Sequence, residues 1–230
     1  MSWLAREGVG TVKKNEVRAR IEEIGIIPGV RVPSAADARF AAEAVNRAGI
    51  PVAEITMTVP GAIGVITGLT RNIPEMIVGA GTVLDIETAK RCLDAGAKFI
   101  TSPGLVLEVV EFATKNEVVV FPGALTPTEI ITAWKAGADF VKIFPCGQVG
   151  GDSYIRALKA PLPQVPLIAS GGVNQQTALN FILAGAAALG IGGELIPRES
   201  VQQRQEDRIL ELARRFRKLV KEARSRKSAR

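Results

Sequence analysis

The chain has 230 residues, 47% of them apolar and 23% charged, with no histidine and two cysteines, Cys92 and Cys146. No apolar run reaches the ~18–20 residues of a membrane span. The opening MSWLAREGVGTVKKNEVRARIEE lacks the apolar segment of a signal peptide, and two cysteines make no disulfide framework. A cytoplasmic location in a reduced compartment is therefore expected. The missing histidine excludes His-based triads and the common histidine-rich zinc sites. Acid–base work falls to Glu, Asp, Lys, Tyr or Cys. The net charge of +6 is local: residues 211–230 hold nine Lys/Arg against two Glu, and the other 210 residues carry a balance of −1.

Residues 1–24 predict an N-terminal helical segment closing one end of the fold. From residue 25, eight short apolar runs follow in order: 25–32, 52–59, 76–83, 98–104, 118–124, 140–146, 166–173 and 187–193. Helix-like stretches lie between them, among them SAADARFAAEAVNRAG, DIETAKRCLDAGA, TPTEIITAWKAGA and NQQTALNFILAGA. Asp, Thr or Asn near their starts supply N-caps, and Ala-Gly endings are helix stops. Strands alternating with helices argue for parallel βαβ units. Eight of them favour an α/β fold of the (β/α)8 TIM-barrel type over an open doubly wound sheet. No linker divides the chain, so residues 25–210 are expected to form a single barrel domain. Residues 211–230 read as a basic C-terminal helix and tail, with Ile209, Leu212, Ala213, Phe216, Leu219 and Val220 on one side. A basic tail suits an acidic surface or nucleic acid, but no nucleic-acid motif accompanies it. A solvated amphipathic helix is the preferred reading.

Active sites of such barrels lie at the C-terminal ends of the strands. The residues there are Arg31; Glu54, Thr56 and Thr58; Thr82; Ser102 and Pro103; Pro122 and Gly123; Lys142 to Pro145; Ser170 to Gly172; and Gly192 with Gly193. Period-two alternation sorts each strand into two faces. Glu54, Thr56 and Thr58 share one face of the second strand, opposite Ala53, Ile55, Met57 and Val59. In the sixth run, DFVKIFPC, Lys142 shares its face with Phe140 and Phe144. Both polar sets point inward. An inward lysine and glutamate are either a buried ion pair, whose desolvation offsets its attraction, or an amine nucleophile with a carboxylate proton shuttle. Burial beside Phe144 would favour the neutral amine that attacks a carbonyl. The turns ASGGV and GIGGE suit either phosphate binding through backbone N–H groups or tight strand-to-helix connections.

The ordered series EITMTVP, IVGAGTV, ITSPG, FPGALTPTE, VKIFPC and IASGGVN resembles the 2-keto-3-deoxy-6-phosphogluconate (KDPG) / 4-hydroxy-2-oxoglutarate (KHG) aldolases over about residues 15–210. The resemblance implies a class I, pyruvate-dependent lyase on a (β/α)8 barrel, with no metal or organic cofactor, commonly a homotrimer. Matched to the family's motifs, Lys142 is the Schiff-base lysine and Glu54 the general acid/base. Thr82 lines the pyruvate end, Phe144 and Pro145 form the aromatic wall beside the lysine, and Pro103 is counted with the substrate-binding residues. Gly171 and Gly172 belong to the backbone loop that holds the distal phosphate, and Ser170 and Gly193 are counted with them as substrate-binding. Two positions depart from the family pattern. Thr58 stands where many members carry an arginine, and Arg31 is read as the replacement cation with Thr58 as a hydroxyl donor. Glu194 stands where relatives often carry serine, and a carboxylate repels a phosphate dianion. The expected partner is a small 2-oxo acid, cleaved to pyruvate and glyceraldehyde 3-phosphate or glyoxylate. Rival readings are an aldolase for another, unphosphorylated 2-oxo acid, a phosphate-binding barrel isomerase or epimerase, and a non-catalytic scaffold.

Overall fold

Nine parallel strands and ten α-helices alternate in the computed structural model, which describes residues 13–228. The strands are β1 Ile26–Val30, β2 Val52–Thr56, β3 Ile77–Gly81, β4 Phe99–Thr101, β5 Val119–Phe121, β6 Gly123–Ala124, β7 Val141–Ile143, β8 Leu167–Ser170 and β9 Ala188–Ile191. Each of the eight apolar runs contains its strand. The helices are α1 Lys14–Ile24, α2 Ala35–Arg47, α3 Ala62–Asn72, α4 Ile86–Asp94, α5 Leu107–Lys115, α6 Pro127–Lys135, α7 Asp152–Lys159, α8 Ala178–Leu183, α9 Arg198–Gln202 and α10 Glu206–Ser228. The first part of the expected N-terminal segment, residues 1–12, lies outside the described residues.

The strand order is β5-β4-β3-β2-β1-β9-β8-β7-β6. Only Pro122 separates β5 from β6, and this one segment faces both edges. Phe99, Ile100 and Thr101 pair with Val119, Val120 and Phe121 on one side. On the other, Asp139 N–H donates to Val120 O and Lys142 N–H to Pro122 O, both at 2.9 Å. The nine strands are therefore eight staves, and the sheet curls into a (β/α)8 barrel.

Local sequence explains where the helices begin and end. Ser34 Oγ accepts from Asp37 N–H, Asp85 caps Thr88, and Thr126 with Glu129 makes a capping box ahead of Pro127. Helices α2, α4, α6 and α8 each stop at Ala-Gly, with Gly49, Gly96, Gly137 and Gly185 at φ between 81° and 112°. Only glycine takes that conformation without steric cost.

The barrel interior is layered. Its lower layer is apolar: Ile27, Val52, Ile77, Phe99, Phe121, Phe140 and Ile168, with Phe99 stacked on Phe121 at 5.0 Å between ring centroids. Helix α1 plugs this end, burying Val17 and Ile21 against the same cluster. Lys14 Nζ fastens it to Asp139 at 3.0 Å, and Asp139 also accepts from Val120 N–H. At the other end of the chain, α10 buries Ile209, Leu212, Ala213, Phe216, Val220 and Ala223, with Leu219 packed alongside. Its Arg224 reaches the carbonyls of Glu22 and Glu23 at the end of α1, and its Arg217 donates to Ala48 O just past α2. The basic helix is thus an amphipathic wall of the barrel, with two of its arginines spent on helix C-termini. No helix among the described residues is long and apolar enough to cross a membrane.

Candidate active site

With one end of the barrel plugged by apolar side chains, polar inward residues collect at the other. One step up from the lower layer stand Gly29, Glu54, Gly79, Lys142, Ser170 and Gly190; the register sets Glu54 beside Gly29 and Gly79, and Ser170 beside Gly190. Glu54 and Lys142 come from staves on opposite sides of the barrel, yet their side chains meet, with Nζ 3.5 Å from Oε2. Both are nearly buried, at 5% and 9% exposure. Lys142 Nζ also lies 5.8 Å from the centre of the Phe144 ring.

Above this pair a cavity of about 390 Å³ opens to solvent. It is lined by Gly29, Arg31, Glu54, Thr56, Thr82, Pro103, Lys142, Phe144, Ser170 to Val173, and Gly190 to Glu194. Of the eleven residues given catalytic or substrate-binding roles from the sequence, ten are on its wall. A larger cavity of about 950 Å³ lies between α1 and α10. It belongs to the opposite end of the barrel, where Arg217 and Arg224 cap helices, and holds none of the chemistry.

Thr58 is the residue left out. Strand β2 ends at Thr56, and Val59 N–H turns back onto Thr56 O at 3.0 Å, so period-two alternation stops before Thr58. The Thr58 side chain meets Thr56 Oγ1 at 2.7 Å. Thr56 Oγ1 donates its one proton to Val30 O at 3.1 Å, so Thr58 donates to Thr56. In this arrangement neither hydroxyl is left to donate into the cavity, and Thr56, not Thr58, forms its wall. The signal for Thr56 was present in the sequence, because it shares the inward face with Glu54.

Arg31 stands just beyond β1, exposed, with no ion pair or hydrogen bond among the described residues. Thr82, immediately after β3, holds φ 60°, a left-handed backbone uncommon for a β-branched residue. It turns the chain over the cavity. After β8 and β9 the glycine turns leave backbone donors unused: the N–H groups of Gly172, Val173, Gly193 and Glu194 meet no acceptor among the described residues. Helix α8 starts only at Ala178, later than the pattern beginning at Asn174 suggested. Asn174 side-chain and main-chain oxygens already accept from residues 176–178. The donors at this end are therefore loop amides, not a helix N-terminus.

A closed barrel with a lysine–glutamate pair under a solvent-open cavity at the strand C-termini is the layout of an enzyme. Comparison with known proteins gives the particular kind. Residues 17–212 match the family model described as KDPG and KHG aldolase. The KHG/KDPG aldolase of Escherichia coli strain K12 is 32% identical over 190 residues, 82% of this chain and 89% of that protein. A solved KDPG aldolase from Legionella pneumophila, with pyruvate captured at low pH as a covalent carbinolamine intermediate, superposes with a TM-score of 0.79 at 29% identity. That match covers 88% of this chain and 97% of that one. A cube-shaped protein cage designed by fusing symmetric oligomeric domains contains a similar fold, with TM-score 0.82, 32% identity and coverage of 90% and 76% respectively. The chain belongs to the KDPG/KHG aldolase family, and is accordingly a carbon–carbon lyase.

Proposed function

We propose that the protein cleaves a 4-hydroxy-2-oxo acid, the class that includes KDPG and 4-hydroxy-2-oxoglutarate, to pyruvate and an aldehyde through a Schiff base on Lys142. The observation that carries this reading is the contact between Lys142 Nζ and Glu54 Oε2 inside the cavity. The Lys142 amine attacks the C2 ketone, and Glu54 is within reach of the protons moved in that step. Loss of water from the carbinolamine gives a protonated imine, which serves as an electron sink. Glu54 then takes the proton of the C4 hydroxyl, the C3–C4 bond breaks, and the aldehyde leaves. The remaining enamine is protonated at C3, and water releases pyruvate from the imine. The carbinolamine seen in the Legionella pneumophila relative is the first covalent species of this sequence.

Arg31 and Thr82 hold the substrate carboxylate in this reading, which fixes the carbonyl for attack. Thr58 acts through Thr56, closing that wall by hydrogen bonding. Pro103 and Phe144 enclose the reacting carbons, while Ser170, Gly171, Gly172 and Gly193 surround the distal half. Borohydride reduction in the presence of pyruvate is expected to leave one pyruvate-derived adduct, on Lys142. An active protein without that adduct, or a Lys142→Ala variant that still cleaves substrate, overturns the assignment.

The chain is further proposed to self-associate, as a trimer. Leu84, Leu107 and Ile131 are the exposed large apolar side chains among the described residues. They follow three successive staves, β3, β4 and the β5–β6 segment, on one flank of the barrel. Exposed apolar groups gathered on one side mark association surfaces. Sedimentation velocity should give a trimer for the wild type and a monomer for Leu107→Glu/Ile131→Glu. A monomeric wild type refutes this arrangement.

A further inference from the structure

The charges lining the cavity cancel. Its two cations are Lys142 and Arg31, and its two carboxylates are Glu54 and Glu194. Lys142 is matched by Glu54 across the barrel. Arg31 and Glu194 follow β1 and β9, which are neighbouring staves paired through Pro28 and Ile191. A bound 2-oxo acid brings one carboxylate of its own, so little positive charge remains for a second anionic group. The distal end offers the loop amides of Gly172, Val173, Gly193 and Glu194, which donate, and the exposed Glu194 carboxylate, which accepts. Glu194 has no ion pair or hydrogen bond among the described residues that would hold it elsewhere. A phosphate dianion meets the amides favourably but is repelled by the carboxylate. A hydroxyl satisfies both, accepting from an N–H and donating to Glu194.

We infer that Glu194 is a specificity-determining residue that selects 2-oxo-3-deoxy sugar acids ending in a free hydroxyl over those ending in phosphate. This deepens the aldolase reading and rests on it. The test measures kcat/KM of wild type, Glu194→Ser and Glu194→Gln on substrates of one series ending in hydroxyl, carboxylate or phosphate, at low and high salt. Wild type should favour the hydroxyl-terminated substrate over the phosphorylated one by at least about ten-fold, with the carboxylate between them. Both variants should narrow that ratio by about ten-fold or more, and added salt should narrow it in the wild type only, because screening weakens repulsion. A wild type preferring the phosphorylated substrate, or a ratio unmoved in both variants, overturns the inference. Borohydride trapping of pyruvate on the wild type reports on the aldolase reading separately. A trapped adduct with an unmoved ratio defeats only the role of Glu194, whereas no adduct and no cleavage defeats both.

Discussion

Gly81 leaves the space that the Glu54 carboxyl occupies: a Cβ built on Gly81 would fall on Oε1, Cδ and Cγ of Glu54. The two residues come from adjacent staves, where Thr56 pairs with Gly81 and Glu54 with Gly79. The side chain of one stave thus lies over the bare backbone of the next. The proposed proton shuttle is aimed at Lys142 by an absence on its neighbour.

Gly81→Ala is therefore expected to displace Glu54 while leaving the barrel folded. A misplacement of about 1 Å costs about 10²-fold in rate, and overpacking costs about 1–3 kcal/mol of stability. Steady-state kinetics and urea unfolding check the two parts. Undiminished kcat in a folded Gly81→Ala protein contradicts the geometry.

Glu54→Gln and Lys142→Met should fail differently. Removing the shuttle is expected to lower cleavage by about 10²–10⁴-fold while pyruvate remains trappable on Lys142. Removing the lysine abolishes trapping altogether. It also strands a buried carboxylate, at a cost of about 3–5 kcal/mol, which Lys142→Met/Glu54→Leu should largely recover. Mass spectrometry after borohydride and urea midpoints distinguish these outcomes. A double variant no more stable than Lys142→Met shows that the glutamate is not strained by losing its partner.

Burial pushes both thiols, Cys92 and Cys146, up to about 11 from an ordinary value of 9.0. The folded state keeps protons that the unfolded chain gives up from pH 9 upward. The sign is fixed by that difference: the contribution is intact below pH 9 and is lost as pH rises towards 11. Urea midpoints should fall over this window, and more shallowly in Cys92→Ala/Cys146→Ala. Equal slopes for the two proteins would refute the prediction. Thiol reagents at pH 8 should modify the native protein slowly, because the thiolate is the nucleophile.

Arg224→Ala should loosen the plug at the closed end of the barrel. Its guanidinium bonds the carbonyls of Glu22, Glu23 and Ala187, joining α10 to the end of α1 and to the start of the last stave. A hydrogen bond to a charged group is worth about 1.5–3 kcal/mol, and water replaces part of what this half-buried guanidinium loses, so a net loss of about 2–4 kcal/mol is expected in urea unfolding. Lysine should not restore it, since it lacks the planar fork. A change under 0.5 kcal/mol would show that α1 is held by Val17, Ile21 and Lys14 alone.

Much of this was legible one element at a time. Ala-Gly endings and Ser34, Asp85 and Thr126 caps are local chemistry, and they placed helices correctly because a cap acts over three or four residues. Period-two parity put Glu54, Thr56 and Lys142 inward for the same reason. Parity misled at Thr58, where β2 had already ended and the chain was turning towards Val59. The start of α8 was misjudged similarly: Asn174 closes a turn on residues 176–178 before the helix begins. Glu194 departs from the family pattern, but its place in the wall of the cavity follows from the pairing of β9 with β1, which are far apart in the chain.

By itself the sequence determined the alternation of strands and helices, the faces of the strands, and the family whose lysine and glutamate motifs it carries. These depend on backbone propensity, side-chain parity and residue identity, all properties of short segments. That Lys142 and Glu54 meet at 3.5 Å is a consequence of barrel closure. They lie 88 residues apart on opposite staves, and no local rule couples them. Closure through the β5–β6 segment sets the diameter of the barrel, and glycine neighbours such as Gly81 leave room for the side chains to reach its axis.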